Sequence, residues 1–471
     1  MSDINTSKLN IYSKTILDYL HTLSNNLDIS LKEHINITHP ILNELNKHID
    51  FVFSDDINNL IVNEIKKSKK IFIKKLHSSQ QDSLIYILFK KCIKYKEIKE
   101  LIESQINNKI NDFTSHQDFH NWYRNVQHMI NFEDIMKITH KHNITELIEI
   151  FSILLVSDNP RDILHDILYF NPFVSLDNVI FSEVVDLYRI DIIYENINIT
   201  VYYKTTINDC TFLHDILRIV LLYRHITEYK NEINVRILMS NRKKVFSSNR
   251  HDILLTPMNI NSGSSMRGEW VNVWRGEEME KVLMHELQHF FRFDFYILDN
   301  GYKQLEQQIY NLFNINLDRI NESYNETVAG IINMLYQTKK YNLKLNKVYH
   351  YEMLYLLLQS SKILLYLNNY NMNTTYEDIY NIDIKQTTSA LSYYIIKTII
   401  FYDINNFLSL MQDFNLKCNT KEHIDKYNTY ITQLIKQDNI KTHVNNILQF
   451  IKQDNKINYC LRTLRMCVLS N

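Results

Sequence analysis

The residues best suited to chemistry lie in the run His285-Glu286-Leu287-Gln288-His289. On a helix, two histidines four apart project from one face about a turn apart, and the glutamate beside the first points into the same space. Neutral imidazoles in that layout bind zinc, and the Glu286 carboxylate takes a proton from metal-bound water. Catalytic zinc usually has three protein ligands and an open water position, so one more donor is required. The downstream segment NESYNETVAGIIN offers Glu322 and Glu326, one helical turn apart. Glu326 is followed at its third position by Ala329 and then by Gly330, small residues that would let this helix approach the histidine-bearing helix closely. The reading places Glu326 as third ligand, with Glu322 orienting a histidine from behind. The exchange of these two roles is the alternative.

The surrounding sequence must position these groups. Gly276-Glu277-Glu278 opens the central helix with acidic residues at the positive end of its dipole. Leu283, Leu287, Phe290 and Phe291 form a core-facing stripe, and His285 and His289 share another face with Val282. Upstream, VVDLYRIDIIYENINITVYYKTT reads as two extended segments joined at Glu195-Asn196, because β-branched and aromatic residues are dense and partly alternate. A helix over TFLHDILRIVLLYRHITEYKN, a strand over INVRILMS and a short strand over VNVWR follow. Met258 to Ser262 is a candidate sheet edge where an extended peptide could pair. Residues 1–172 read as helices separated by Asn-rich turns, and nearly everything beyond His289 is again helical in period. The expected fold is α+β and predominantly helical: a helical region over 1–172, a strand-containing subdomain over 173–300 ending in the HExxH helix, and a helical subdomain over 301–471 carrying the third ligand.

Composition narrows the function classes. With 52 Lys+Arg against 53 Asp+Glu, the net charge of −1 gives no global field favouring a nucleic-acid or membrane partner. The basic stretch Lys66, Lys67, Lys69, Lys70, Lys74, Lys75 and the lysines from Lys90 to Lys99 read as solvated helix faces. His116 and His120 have ligand spacing but no further donor, and His140 and His142 lack it on a helix. Five cysteines without a CxxC pair suggest neither a disulfide framework nor a thiolate zinc site. No secretion signal and no uncharged apolar run of about 18 residues is found, so a soluble, non-secreted protein is expected. All five glycines fall between 263 and 330, which marks that window as the one with the most demanding backbone.

HExxH on one helix with a glutamate on a following helix resembles the gluzincin metallopeptidases. The longer string TPMNINSG…VNVWRGEEMEKVLMHELQH…NESYNETVAGIIN, with SALSYYIIKTII further on, is similar to metallopeptidases predicted in large nucleocytoplasmic DNA viruses. The resemblance implies a gluzincin-like core with a small mixed sheet, zinc held by His285, His289 and Glu326, and Glu286 as general base. It also implies an oxyanion donor on a later helix, for which Tyr393 and Tyr394 are the candidates. The substrate would be a polypeptide, cleaved in the cytoplasm of an infected host cell or in the virion. Many gluzincins carry Asp four residues after the ligand glutamate, whereas position 330 here is Gly. Support for the ligands would then come from Glu322 or Asn333. The same residues are compatible with a non-catalytic virion or scaffold protein holding a structural or vestigial zinc, and with hydrolysis of a non-peptide amide.

Overall fold

The computed structural model describes residues 9–27, 35–75, 99–100, 103–104, 155–156, 187–204, 206–207, 210–246, 253–295, 307, 309–313, 315, 319–382, 384–453 and 459–469. Seven strands form one mixed sheet: β1 (Lys69–Lys75), β2 (Leu155–Val156), β3 (Leu187–Tyr194), β4 (Ile197–Lys204), β5 (Ile233–Met239), β6 (Gly263–Met266) and β7 (Trp270–Val273). Their spatial order is β2-β1-β3-β4-β5-β7-β6. Parallel pairing joins β4 to β5 and β5 to β7; the other neighbours are antiparallel.

The β3–β4 hairpin turns at Glu195-Asn196, as its alternation predicts, with Glu195 in the left-handed region at φ 49°. Helices α1 (Ile11–Leu27), α2 (Pro40–Val52) and α3 (Asp55–Lys67) precede β1, and α4 (Thr211–Thr227) links β4 to β5. The HExxH helix is α5 (Met279–Phe290), followed by α6 (Asn321–Tyr341) and α7 (Leu345–Leu367). Between Met279 and Phe290 every residue but His289 is buried. A helix apolar on only one side could not be placed so; α5 is enclosed by β6 and β7, by α4 and by α6.

Three expectations about the strands and the residues flanking them differ from the structure. Residues 1–172 were expected to be wholly helical, but they supply β1 and β2 to the sheet. The motif KKIFIKK is a strand with only three apolar residues, too short to show period two against its flanking lysines. Lys66 and Lys67 end α3, whereas Lys69, Lys70, Lys74 and Lys75 lie on β1, so they do not share a helix face. Lys70 sits 3.5 Å over the Tyr188 ring. The expected edge at Met258 to Ser262 is displaced too: Pro257–Ile260 is a single helical turn, and the edge strand is Gly263–Met266. Proline at the first helical position, with Asn259 Oδ1 accepting from the Thr256 backbone N–H and hydroxyl, fixes that turn. Cys92, Lys90, Lys91, Lys94, Lys96, His116, His120, His140 and His142 lie outside the described residues. Among the described residues no helix is long and apolar enough to cross a membrane.

A last segment matters for the site. Residues 463–469 run through the interior and are buried throughout. Side chains satisfy much of their backbone: Glu278 Oε1 accepts from the N–H groups of Met466 and Cys467 at 2.6 and 2.7 Å, and Glu352 Oε2 accepts from Val468 at 2.9 Å. Asn333, on α6, donates to the Leu469 carbonyl at 2.9 Å rather than serving a metal ligand. Glu278 stands at the N-cap of α5 with φ 60°, and its carboxylate turns away to Lys244 and this segment. The expected dipole pairing at Glu277-Glu278 is therefore replaced by buried contacts to Lys244: Glu278 pairs with its Nζ at 3.0 Å, and Glu277 accepts from its backbone N–H at 2.7 Å.

Candidate metal centre

Helix α5 projects His285 and His289 toward Glu322 in the first turn of α6. The two Nε2 atoms are 3.1 Å apart, and Glu322 Oε2 lies 3.3 Å from each. His285, His289 and Glu322 form the group able to hold a metal ion among the described residues. Three bonds of about 2.0–2.1 Å in tetrahedral array would separate their donor atoms by roughly 3.3–3.4 Å, so the spacing fits zinc with little adjustment.

The far side of each ring explains why the Nε2 lone pairs converge. Asp294 Oδ2 lies 2.9 Å from His289 Nδ1 and also accepts from Asn321 Nδ2 at 2.7 Å. Glu326 Oε2 faces His285 Nδ1 at 2.9 Å. Carboxylates in these positions favour the proton on Nδ1 and leave Nε2 as an acceptor. Two imidazole lone pairs and a carboxylate facing one another call for a cation. Burial alone would lower the His289 pKa, but Asp294 and Glu322 raise it well above the ordinary value, so protons are drawn to the place a cation would fit. Zinc binding would substitute one cation for those protons.

The expected roles of Glu326 and Glu322 are thus exchanged in space. Glu326 is bound by Lys281 and lies 3.3 Å from Lys397 Nζ. Burial would raise its pKa, yet these two ammonium groups hold it well below the usual carboxylate range. A carboxylate so neutralised is an orienting anion for His285. Gly330 does not bring α6 to α5 either: a Cβ there would come within 2.9 Å of the Phe401 ring and 3.5 Å of Lys397. Its lack of a side chain admits the later helix that carries Lys397 (Lys397–Tyr402).

Glu286 lies against the sheet edge. Ser265 Oγ donates to its Oε2 at 2.8 Å, and a Cβ on Gly263 would fall 2.6 Å from its Cγ and Oε1. Only glycine lets β6 pass this close to the carboxylate. Burial pushes the Glu286 pKa up, opposed by the nearby imidazoles.

His285, Glu286, His289, Asp294 and Glu322 open onto one cleft of about 660 Å³, lined also by β6, residues 387–389 and Tyr393. Tyr393 packs edge-on to His285 with ring centroids 6.1 Å apart. Tyr394 is separated from the cleft: its hydroxyl donates to the Leu464 carbonyl at 2.5 Å in the interior. Both lie on a π-helical turn, Leu391–Ile396, whose wider winding is frequent at functional sites. Asp294, Ser265 and the two lysines were not anticipated from the sequence. The glycine cluster was the signal that pointed to Gly263.

Comparison with protein-family models, with curated proteins and with solved structures returned no match.

Proposed function

We propose that this chain is a zinc-dependent endopeptidase of gluzincin type, in which His285, His289 and Glu322 hold the metal. The observation that carries the reading is the convergence of His285 Nε2, His289 Nε2 and Glu322 Oε2 within 3.3 Å, with Nδ1 of each imidazole facing a buried carboxylate. When bound, zinc supplies Lewis acidity toward a carbonyl and toward water. Glu286 takes a proton from the attacking water and delivers it to the leaving amine. Its burial supports this role by keeping its proton affinity high. Ser265 and Gly263 hold the carboxylate in place. Tyr393, at the cleft wall, is suited to donate to a developing oxyanion. The edge strand β6 offers backbone groups to an extended peptide, which favours a polypeptide over a small amide. An infected cell or virion as its setting rests on the viral resemblance.

Glu286→Gln provides the test. The variant should keep stoichiometric zinc and lose hydrolysis of any peptide that the zinc-loaded parent cleaves. A parent that binds zinc but cleaves nothing in a broad peptide library would turn the reading to a non-catalytic metal protein.

A further inference from the structure

We propose that Arg292 and Arg319 form a carboxylate-binding subsite beside the metal centre, so that the cleft selects peptides carrying an acidic group next to the cut. The inference rests on the peptidase reading and deepens it. Both arginines line the cleft. Each is tied by its main chain to a metal-site residue: the Arg292 N–H donates to the His289 carbonyl at 3.1 Å, and the Glu322 N–H donates to the Arg319 carbonyl at 3.0 Å. Asn419 Nδ2 donates to the Arg292 carbonyl at 3.2 Å, so that backbone is held from two sides in a left-handed conformation of φ 60°. The main chains are anchored and the side chains are exposed.

Among the described residues their charges are also uncommitted. The third cleft arginine, Arg267, donates to Asp294 Oδ1 at 3.0 Å and to the Asp294 carbonyl at 3.1 Å. No carboxylate pairs with Arg292 or Arg319 among the described residues. Of the acidic residues in the cleft, Glu286 and Glu322 belong to the metal chemistry and Asp294 is shared between Arg267 and His289. Only Glu269, on the turn after β6, remains against two guanidinium groups. A guanidinium fork binds a carboxylate through two parallel hydrogen bonds, which suits an Asp or Glu side chain or a terminal carboxylate.

The zinc-loaded full chain would be given a peptide library that varies Asp, Glu, Asn, Gln and Lys around the cut, with each peptide as free acid and as C-terminal amide. In parallel, binding of labelled acidic peptides and their amide counterparts to E286Q would be read by fluorescence anisotropy. The expected result is a preference of about tenfold or more for an acidic peptide, lost in R292A and R319A and turned toward lysine in R292E/R319E. Dependence on the free C-terminus would assign the carboxylate to the chain end, and indifference to it would assign a side chain. Charge-selective binding that the arginine variants abolish, without any cleavage, would keep the subsite and overturn the peptidase reading. Cleavage or binding indifferent to acidic groups, or a preference unchanged in the variants, would overturn the subsite.

Discussion

Glu326 Oε2 lies 2.9 Å from His285 Nδ1, on the side of the imidazole away from Glu322 and His289. One turn earlier on the same helix, Glu322 approaches the Nε2 atoms. Two glutamates four apart thus hold opposite ends of one ring, which gives them separable effects. Glu322→Ala should abolish tight zinc binding, whereas Glu326→Gln should weaken it by roughly ten- to a hundredfold. Competition with a chromophoric chelator measures both, and equal losses would contradict the assignment.

Lys281 is buried against Glu326 with its ammonium group inside the protein. Removing one member of such a pair leaves an uncompensated charge, so Lys281→Met should cost about 3–5 kcal/mol of stability. Denaturant unfolding of the metal-free protein provides the measurement. A cost below 1 kcal/mol, on the order of a surface pair, would show that Lys397 alone neutralises Glu326.

Gly263→Ala would thrust a methyl group into Glu286, whose Cγ stands 2.6 Å from the added atom. Zinc stoichiometry should be unchanged while the rate falls by a hundredfold or more, on the order of losing a positioned general base. Ser265→Ala removes only one hydrogen bond to that carboxylate and should act more mildly. If Gly263→Ala retained full hydrolysis, Glu286 would not be the base.

Tyr393 and Tyr394 should separate function from stability. Tyr393→Phe is expected to lower kcat by about tenfold to a thousandfold with little change in Tm. Tyr394→Phe instead leaves the Leu464 carbonyl without its donor and should cost about 1–3 kcal/mol while sparing kcat. Reversed outcomes would contradict the placement of the two rings.

Zinc uptake should release protons near neutral pH. In the metal-free protein burial alone would lower both histidine pKa values, but Asp294 and Glu322 at His289, and Glu322 and Glu326 at His285, raise them. A raised pKa means that more protons are bound before loading and must leave with it. Affinity should therefore increase with pH by about tenfold per unit for each displaced proton, until both imidazoles have titrated. Calorimetry in two buffers of different ionisation enthalpy counts them, and zero release would show that both imidazoles are already neutral before loading, contradicting their raised pKa values.

Much of this arrangement could be read in advance where local pattern controls structure. The β3–β4 hairpin, the helix and strand after it, and the HExxH helix all follow from period and turn residues. The preference for Glu326 has a physical origin: Gly330 was read as space for α5, but that space is filled by Phe401 from a later helix. Glu322 and Glu326 stand one turn apart on α6, so spacing alone left either within reach of the histidines. What decided between them was the charge of Lys281 and Lys397, and no periodicity reports which distant ammonium groups will converge on a buried carboxylate. Similarly β1 depends on pairing with a strand more than a hundred residues away.

The segment at 463–469 has a consequence for biosynthesis. It is translated after every residue of the centre, yet Lys397, which stands 3.3 Å from Glu326, also donates to the Met466 carbonyl at 2.8 Å. A nascent chain that has already exposed both histidines and both glutamates still lacks the layer that steadies Glu326 from behind. Because folding proceeds as the chain emerges, the candidate metal centre gains its full support only after residues 463–469 have been made and packed behind it.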